Sequence, residues 1–268
     1  MEILQYTFFQ YSLLGSFFTA VACGIVGSYI VARRLLFISG GITHASFGGV
    51  GLGFYLGVNP LLTAVFFSVL SAFGVEWMSR SHQVREDSAI ACIWSLGMAL
   101  GILFVYLTPG YSPNLSAYLF GNILSISASD LLAMGLLAVV LTVLFSLFLK
   151  TVLYISFDSD FARTQRLPVA FVEYAMSFFI ALTIVFSIRM VGIMLLMSML
   201  TMPQIIVNIF TSNFRRMILC SIGVGFLACL AGLAGSYFLD VPSGAFIVIV
   251  LVVLFLLARL LTVFKGRK

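Results

Sequence analysis

His44 is an ionisable side chain set inside RRLLFISGGITHASFGGVGLGFYLGV, residues 33–58, an apolar stretch long enough to cross a bilayer. Polar groups in hydrocarbon cost several kcal/mol, so a histidine there faces a protein interior or a water-filled path. Imidazole binds divalent transition metals, but such ions take several nitrogen or oxygen ligands. Neutral donors that could join it are Thr43 beside it and Gln204 and Asn208, which share a helical face at i, i+4. A route lined by neutral oxygen and nitrogen holds a cation weakly, which suits passage. The competing use for Gln204 and Asn208 is hydrogen bonding between helices.

Other candidate chemistry is thinner. Met190, Met194, Met197, Met199 and Met202 raise a soft-metal option through thioethers, with packing the favoured role. Cys23, Cys92, Cys220 and Cys229 show no C-x-x-C spacing. Glu76 and Glu173 read as shallow charges near the ends of apolar segments. Asp240, near Pro242, reads as a helix cap. There is no G-x-x-x-x-G-K-[ST] phosphate loop, and lysine occurs only at 150, 265 and 268. His44 has no nucleophile partner, so an enzyme is not expected.

The elements that must carry these residues follow from composition. At 62% hydrophobic, 9% charged and a mean hydropathy of +1.18, the chain lies outside the soluble range. Apolar runs of helical length, with glycine and proline scattered through them, point to an all-α, polytopic transmembrane helical bundle and away from a barrel. Spans are expected near residues 8–30, 37–58, 60–79, 88–107, 130–149, 170–188, 191–211, 216–238 and 244–264. That makes nine, with eight possible, in a single transmembrane domain over residues 1–268.

Charge sets the expected orientation. Nine spans with the N-terminus outside and the C-terminus cytoplasmic put thirteen of the 14 lysines and arginines inside and leave Arg189 outside. The net charge of +5 is then a topology signal spread over separate loops, and no nucleic-acid partner is expected. The first span lacks a basic leader region, so it is expected to stay in the mature protein.

Local signals refine this layout. Gly41, Ala45, Gly49, Gly53 and Gly57 recur every four residues as a stripe for close helix packing. Asn59-Pro60 separates the second and third spans, and Asp87 or Ser88 is expected to cap the fourth. Pro109, Gly110 and Pro113 are expected to end the fourth span, and the stretch from Asn114 to Ser129 is too short and polar for another crossing and reads as re-entrant or interfacial. Residues 150–168 form the longest cytoplasmic connection, where Asp158 is expected to cap a short docking helix outside the bilayer.

Arg33-Arg34, the run from His44 to Gly53, Glu86-Asp87-Ser-Ala-Ile90, Leu119-Phe-Gly121, Phe157-Asp158 with Phe161-Ala162, Leu167-Pro168, Val191-Gly192 and Pro203 together resemble, in order, the permeases of bacterial zinc and manganese uptake ABC transporters. The resemblance implies a multi-pass permease of the bacterial inner membrane that holds no stable cofactor and passes a divalent metal, zinc or manganese. It implies three partners: a cytoplasmic ATP-binding subunit, an extracytoplasmic metal-binding protein, and a second permease copy in a homodimer. Asp158, Asp160, Phe161, Ala162, Arg163 and Arg166 then fall in the segment that couples to the ATPase. An ion-coupled secondary carrier, or an ABC permease for iron, is the alternative. The chain departs from the family at Gly40, where an aspartate usually precedes the histidine by four. It also departs at Gly48, at Gln165-Arg166 in place of a glycine, and at Gln204-Ile205-Ile206 in place of small residues.

Overall fold

Apolar sequence becomes helix until turn residues stop it, and here they do so sharply. In the computed structural model, which describes residues 6–80, 84–109 and 126–265, α1 (Thr7–Ala32) is followed by α2 (Leu36–Leu56). Gly57 closes α2 in the left-handed conformation, φ 65°, where a residue without Cβ meets no steric penalty. Pro60 opens α3 (Pro60–Arg80), and Asn59 Oδ1 accepts a hydrogen bond from Leu61 N at 2.9 Å. The order continues with α4 (Glu86–Leu107), α5 (Ala128–Phe157), α6 (Ser159–Thr164), α7 (Val169–Asn208), α8 (Phe214–Leu239) and α9 (Ser243–Lys265).

Seven of these helices, all but α2 and α6, are long and apolar enough to cross a membrane among the described residues. The protein is a multi-pass helical membrane protein. Two departures from the expected spans have physical causes. Six glycines and His44 dilute the apolar character of α2. The expected sixth and seventh spans form one 40-residue helix, α7, interrupted at Gly192, where φ 78° and ψ 167° leave helical geometry. Taken with α2 and with α7 divided at Gly192, and leaving α6 aside, the described residues hold nine helical segments where nine spans are expected, of which α2 does not meet the apolarity of a span.

Caps differ in one place. The fourth span begins at Glu86 after Arg85, with no side-chain cap. Asp87, one of the two expected caps, lies instead in the first turn with Glu86, where negative charge complements the helix dipole. At the other end of the chain, Asn213 Oδ1 accepts from Arg216 N at 3.2 Å to start α8, and Asp240 ends that helix at φ 53°. Residues 110–125, which hold most of the expected re-entrant piece and Leu119-Phe-Gly121, lie outside the described residues.

Contacts divide the chain into two compact units. The first comprises residues 1–34, 116–149 and 186–268. Its α1 buries Cys23, Val26 and Ile30, and glycines let neighbours approach closely: Gly24 lies under Ile222 of α8, and Gly232 of α8 under Ile247 of α9. Arg189, the one basic residue expected outside, forms an ion pair of 3.2 Å with Asp130 in the first turn of α5.

The second unit comprises residues 35–115 and 150–185, and in it α2 packs against both α3 and α4. A step of four residues overshoots a full helical turn by about 40°, so the stripe winds around α2. Gly41 and Ala45 meet Ile90 and Gly97 of α4, whereas Gly49 and Gly53 meet Thr63 and Pro60 at the start of α3. Gly57 has no neighbour at its Cβ position and serves the turn alone. A second set, Gly48 and Gly51, approaches the carbonyls of Gly97 and Gly101 on α4.

Candidate functional site

The close approach of α2 and α4 brings an aromatic face over the imidazole. His44 stacks flat on Trp94 of α4, with ring centroids 4.5 Å apart and planes 7° from parallel. Its Nδ1 is buried and has no hydrogen-bond partner among the described residues. A buried nitrogen without a partner costs about 1–3 kcal/mol, so the position favours binding of a hydrogen-bond donor or a metal ion at Nδ1. Thr43 is fully buried, and its hydroxyl donates to Ser39 O at 2.5 Å within the same helix. Gly40, one turn before His44, contributes no side chain. Among the described residues no group of three His, Cys, Asp or Glu side chains is placed to hold a metal ion, so His44 offers one donor.

Gln204 and Asn208 belong to the first unit and have different surroundings in spite of their i, i+4 spacing. Gln204 is fully buried, and its Nε2 donates to Cys23 O of α1 at 2.8 Å. Gly27 makes room for that amide, because a Cβ there would lie 2.5 Å from Gln204 Nε2. The Oε1 of Gln204 has no partner among the described residues. Asn208 is exposed at the last position of α7. The methionines divide in the same way: Met190 and Met199 are 1% exposed and Met194 is 55% exposed, which breaks up any continuous thioether stripe.

The segment after α5 folds as its sequence suggests. Asp158 caps α6 by accepting from Phe161 N at 2.8 Å, and Ala162 is buried against Ile155 and Val169 with Leu167 and Val172 around them. Phe161 is half exposed, and Asp160 pairs with Arg163 at 3.1 Å on the outer side. Two hydrogen bonds close the helix, Arg166 N to Arg163 O at 3.0 Å and Leu167 N to Ala162 O at 3.1 Å. This is the arrangement that usually places glycine at the left-handed position, yet Arg166 occupies it at φ 57°. Arg166→Gly is expected to stabilise α6, since the left-handed penalty of about 1–2 kcal/mol exceeds the entropic cost of glycine, about 0.5–1 kcal/mol. Asp158→Ala should cost about 1 kcal/mol locally. Hydrogen–deuterium exchange over residues 159–167 checks both, with slower exchange expected in the first variant and faster in the second.

One polar cluster has only a partial signature in the sequence. Arg80, the last residue of α3, donates from Nε to Glu76 Oε1 at 2.8 Å and from Nη2 to Glu173 Oε2 of α7. Its guanidinium sits 5.2 Å over the Tyr174 ring, which meets Phe73 edge-on at 5.5 Å. The i, i+4 spacing of Glu76 and Arg80 was a legible signal for half of the cluster. Glu173, 93 residues from Arg80, carried none. The two carboxylates expected as independent interface charges share one cation.

Comparison with known proteins extends over the whole chain. An uncharacterized membrane protein of Synechocystis is 38% identical over 258 residues, covering 96% of this chain and 92% of that protein. The manganese transport system membrane protein MntC of Listeria monocytogenes is 30% identical over 264 residues, covering 98% and 94%. Among solved structures, PsaBC from Streptococcus pneumoniae in complex with Fab has a TM-score of 0.84 at 29% identity, covering 95% of this chain and 92% of that one. The sequence model of the ABC 3 transport family matches residues 5–262, from the approach to α1 to within one turn of the end of α9, and the chain therefore belongs to that family.

Proposed function

We propose that the chain is the membrane permease subunit of an ABC importer for a divalent transition metal, with manganese the first candidate and zinc the second. The observation that carries this reading is the similarity to a manganese transport membrane protein along nearly the full length of both chains. His44 supports it physically, as a half-buried imidazole in the middle of a helix whose buried Nδ1 has no hydrogen-bond partner among the described residues. The permease alternates between outward and inward access, with His44 and Thr43 on α2 and, separately, Gln204 and Asn208 on α7 as the candidate donors to the ion. With one imidazole and neutral oxygens the chain holds the ion briefly, and bound water completes its coordination.

The N-terminus lies outside the inner membrane and the C-terminus in the cytoplasm. That orientation puts α6 on the cytoplasmic side, where exposed Phe157 and Phe161 with Asp160, Arg163 and Arg166 offer an apolar patch rimmed by charge to an ATP-binding subunit. An extracytoplasmic metal-binding protein delivers the ion, and a second copy of the permease completes the pathway. The test is uptake by the complex reconstituted with its ATP-binding subunit, using manganese with zinc and iron as competitors. His44→Ala is expected to lower uptake about tenfold or more, in line with the loss of a group that orients or binds a metal, while the complex still assembles. An intact complex that moves none of the three metals would overturn the assignment.

A further inference from the structure

We propose that Arg80 is a transmission clamp, the link through which movement of α6 reaches α3 and, through it, the helix that carries His44. The proposal rests on the import reading above. Every part of the connection lies inside the second compact unit. It starts at α6, whose Ala162 packs on Val169 in the first turn of α7, with Val172 alongside. Glu173 follows Val172 in the chain, is 5% exposed, and binds Arg80 at the end of α3. Tyr174, the next residue, lies under the guanidinium and against Phe73 of α3. At its other end α3 touches α2 at Gly49 and Gly53 through Thr63 and Pro60, and α2 carries His44.

The chemistry of the link suits motion better than static bracing. Burying charge is justified by geometry rather than by net stability, since well-packed apolar groups of the same volume often serve stability as well or better. Arg80 has two carboxylates within reach, Glu76 on its own helix and Glu173 on α7. If α7 shifts, Arg80 can loosen its hold on Glu173 while Glu76 keeps it paired, so the cluster has two states without an orphaned cation. The planar guanidinium can also slide over the Tyr174 ring while keeping its cation–π contact.

This assigns different roles to the two carboxylates, and the test compares them. In the reconstituted complex, Glu173→Gln is expected to leave assembly intact and ATP hydrolysis running while metal moved per ATP falls about tenfold, because the amide oxygen can still accept from Arg80 but without the charge that roughly doubles the strength of the bond. Glu76→Gln, which keeps the bond between α3 and α7, should stay within about twofold of wild type in the same ratio. Glu173→Asp retains the charge on a shorter stem and should fall between them, and it provides the reading where the glutamine variant yields no complex. A purely structural role lowers transport and hydrolysis together with the amount of folded complex and leaves the ratio unchanged. An unchanged ratio in Glu173→Gln, or in Glu173→Asp where only that variant assembles, overturns the clamp. A wild-type complex that moves no metal overturns the import reading instead, so the two failures are distinct.

Discussion

Gly51→Leu is expected to prevent the protein from accumulating in folded form, and Gly51→Ala to lower its thermal unfolding midpoint clearly. A Cβ on Gly51 would stand 2.5 Å from the Gly101 carbonyl oxygen, 3.0 Å from its Cα and 3.1 Å from its carbonyl carbon. All three are backbone atoms of α4, so no side-chain rotation relieves the clash and one helix must back away from the other. The same separation would lift Trp94 off His44 and open the contacts at Gly48 and Gly97. Overpacking of this kind costs about 1–3 kcal/mol for small additions and more for large ones. The control is Gly223→Ala in α8, where nothing lies within 4 Å of the added atom. There alanine's better helix propensity should make the change neutral or favourable by up to about 1 kcal/mol. Detergent-solubilised yield and thermal unfolding of the three variants give the measurement, and equal behaviour of Gly51→Ala and Gly223→Ala would refute the close approach of α2 and α4.

That contact also marks what could be read from the sequence alone. Spacing every four residues announced a helix built for close packing, because small residues at that interval stand near one another on any α-helix. It did not identify the partner. Gly41 and Gly49 look equivalent in the sequence, yet one faces Ile90 on α4 and the other Thr63 on α3. Which neighbour each faces depends on how far the stripe has rotated when the partner helix arrives, and that is a tertiary quantity. Gly48 and Gly51 lie off the stripe and make contacts as close as any on it.

The candidate site divides along the same line. Local chemistry was legible: Asp158 precedes a short charged segment and caps it, with its bond to Phe161 N spanning three residues. His44 was visible because a single imidazole in apolar sequence stands out at once. Its stacking on Trp94, 50 positions along the chain, was not. Nor was the bond from Gln204 to Cys23 O, across a separation of 181 residues. Membrane sequences are poor in the polar pattern that would betray such pairs, so partners of a lone polar residue have to be found in three dimensions.

Gly192→Ala is expected to destabilise the protein by about 1–3 kcal/mol, the cost of forcing a side chain into a backbone region that is essentially reserved for glycine. Gly192→Val should cost more, because a β-branched residue restricts the backbone further. The position, φ 78° and ψ 167°, interrupts a helix of 40 residues. Drawn straight, that helix would run about 60 Å, twice a hydrocarbon core of roughly 30 Å. The interruption therefore divides the segment at residue 192 into a first piece of membrane length, about 35 Å, and a second, shorter one of about 24 Å. The backbone has little freedom to relax around a substituent, since Met190, Val191 and Ile193 are all at most 4% exposed. Asparagine separates conformation from simple size. It tolerates the left-handed region, so Gly57→Asn at φ 65° and ψ 23° should be mild. At ψ 167° that tolerance does not apply, and Gly192→Asn should be at least as damaging as alanine. Thermal unfolding in detergent and uptake by the reconstituted complex report the two effects. Gly192→Ala with wild-type values in both would mean that α7 runs through this point without the break.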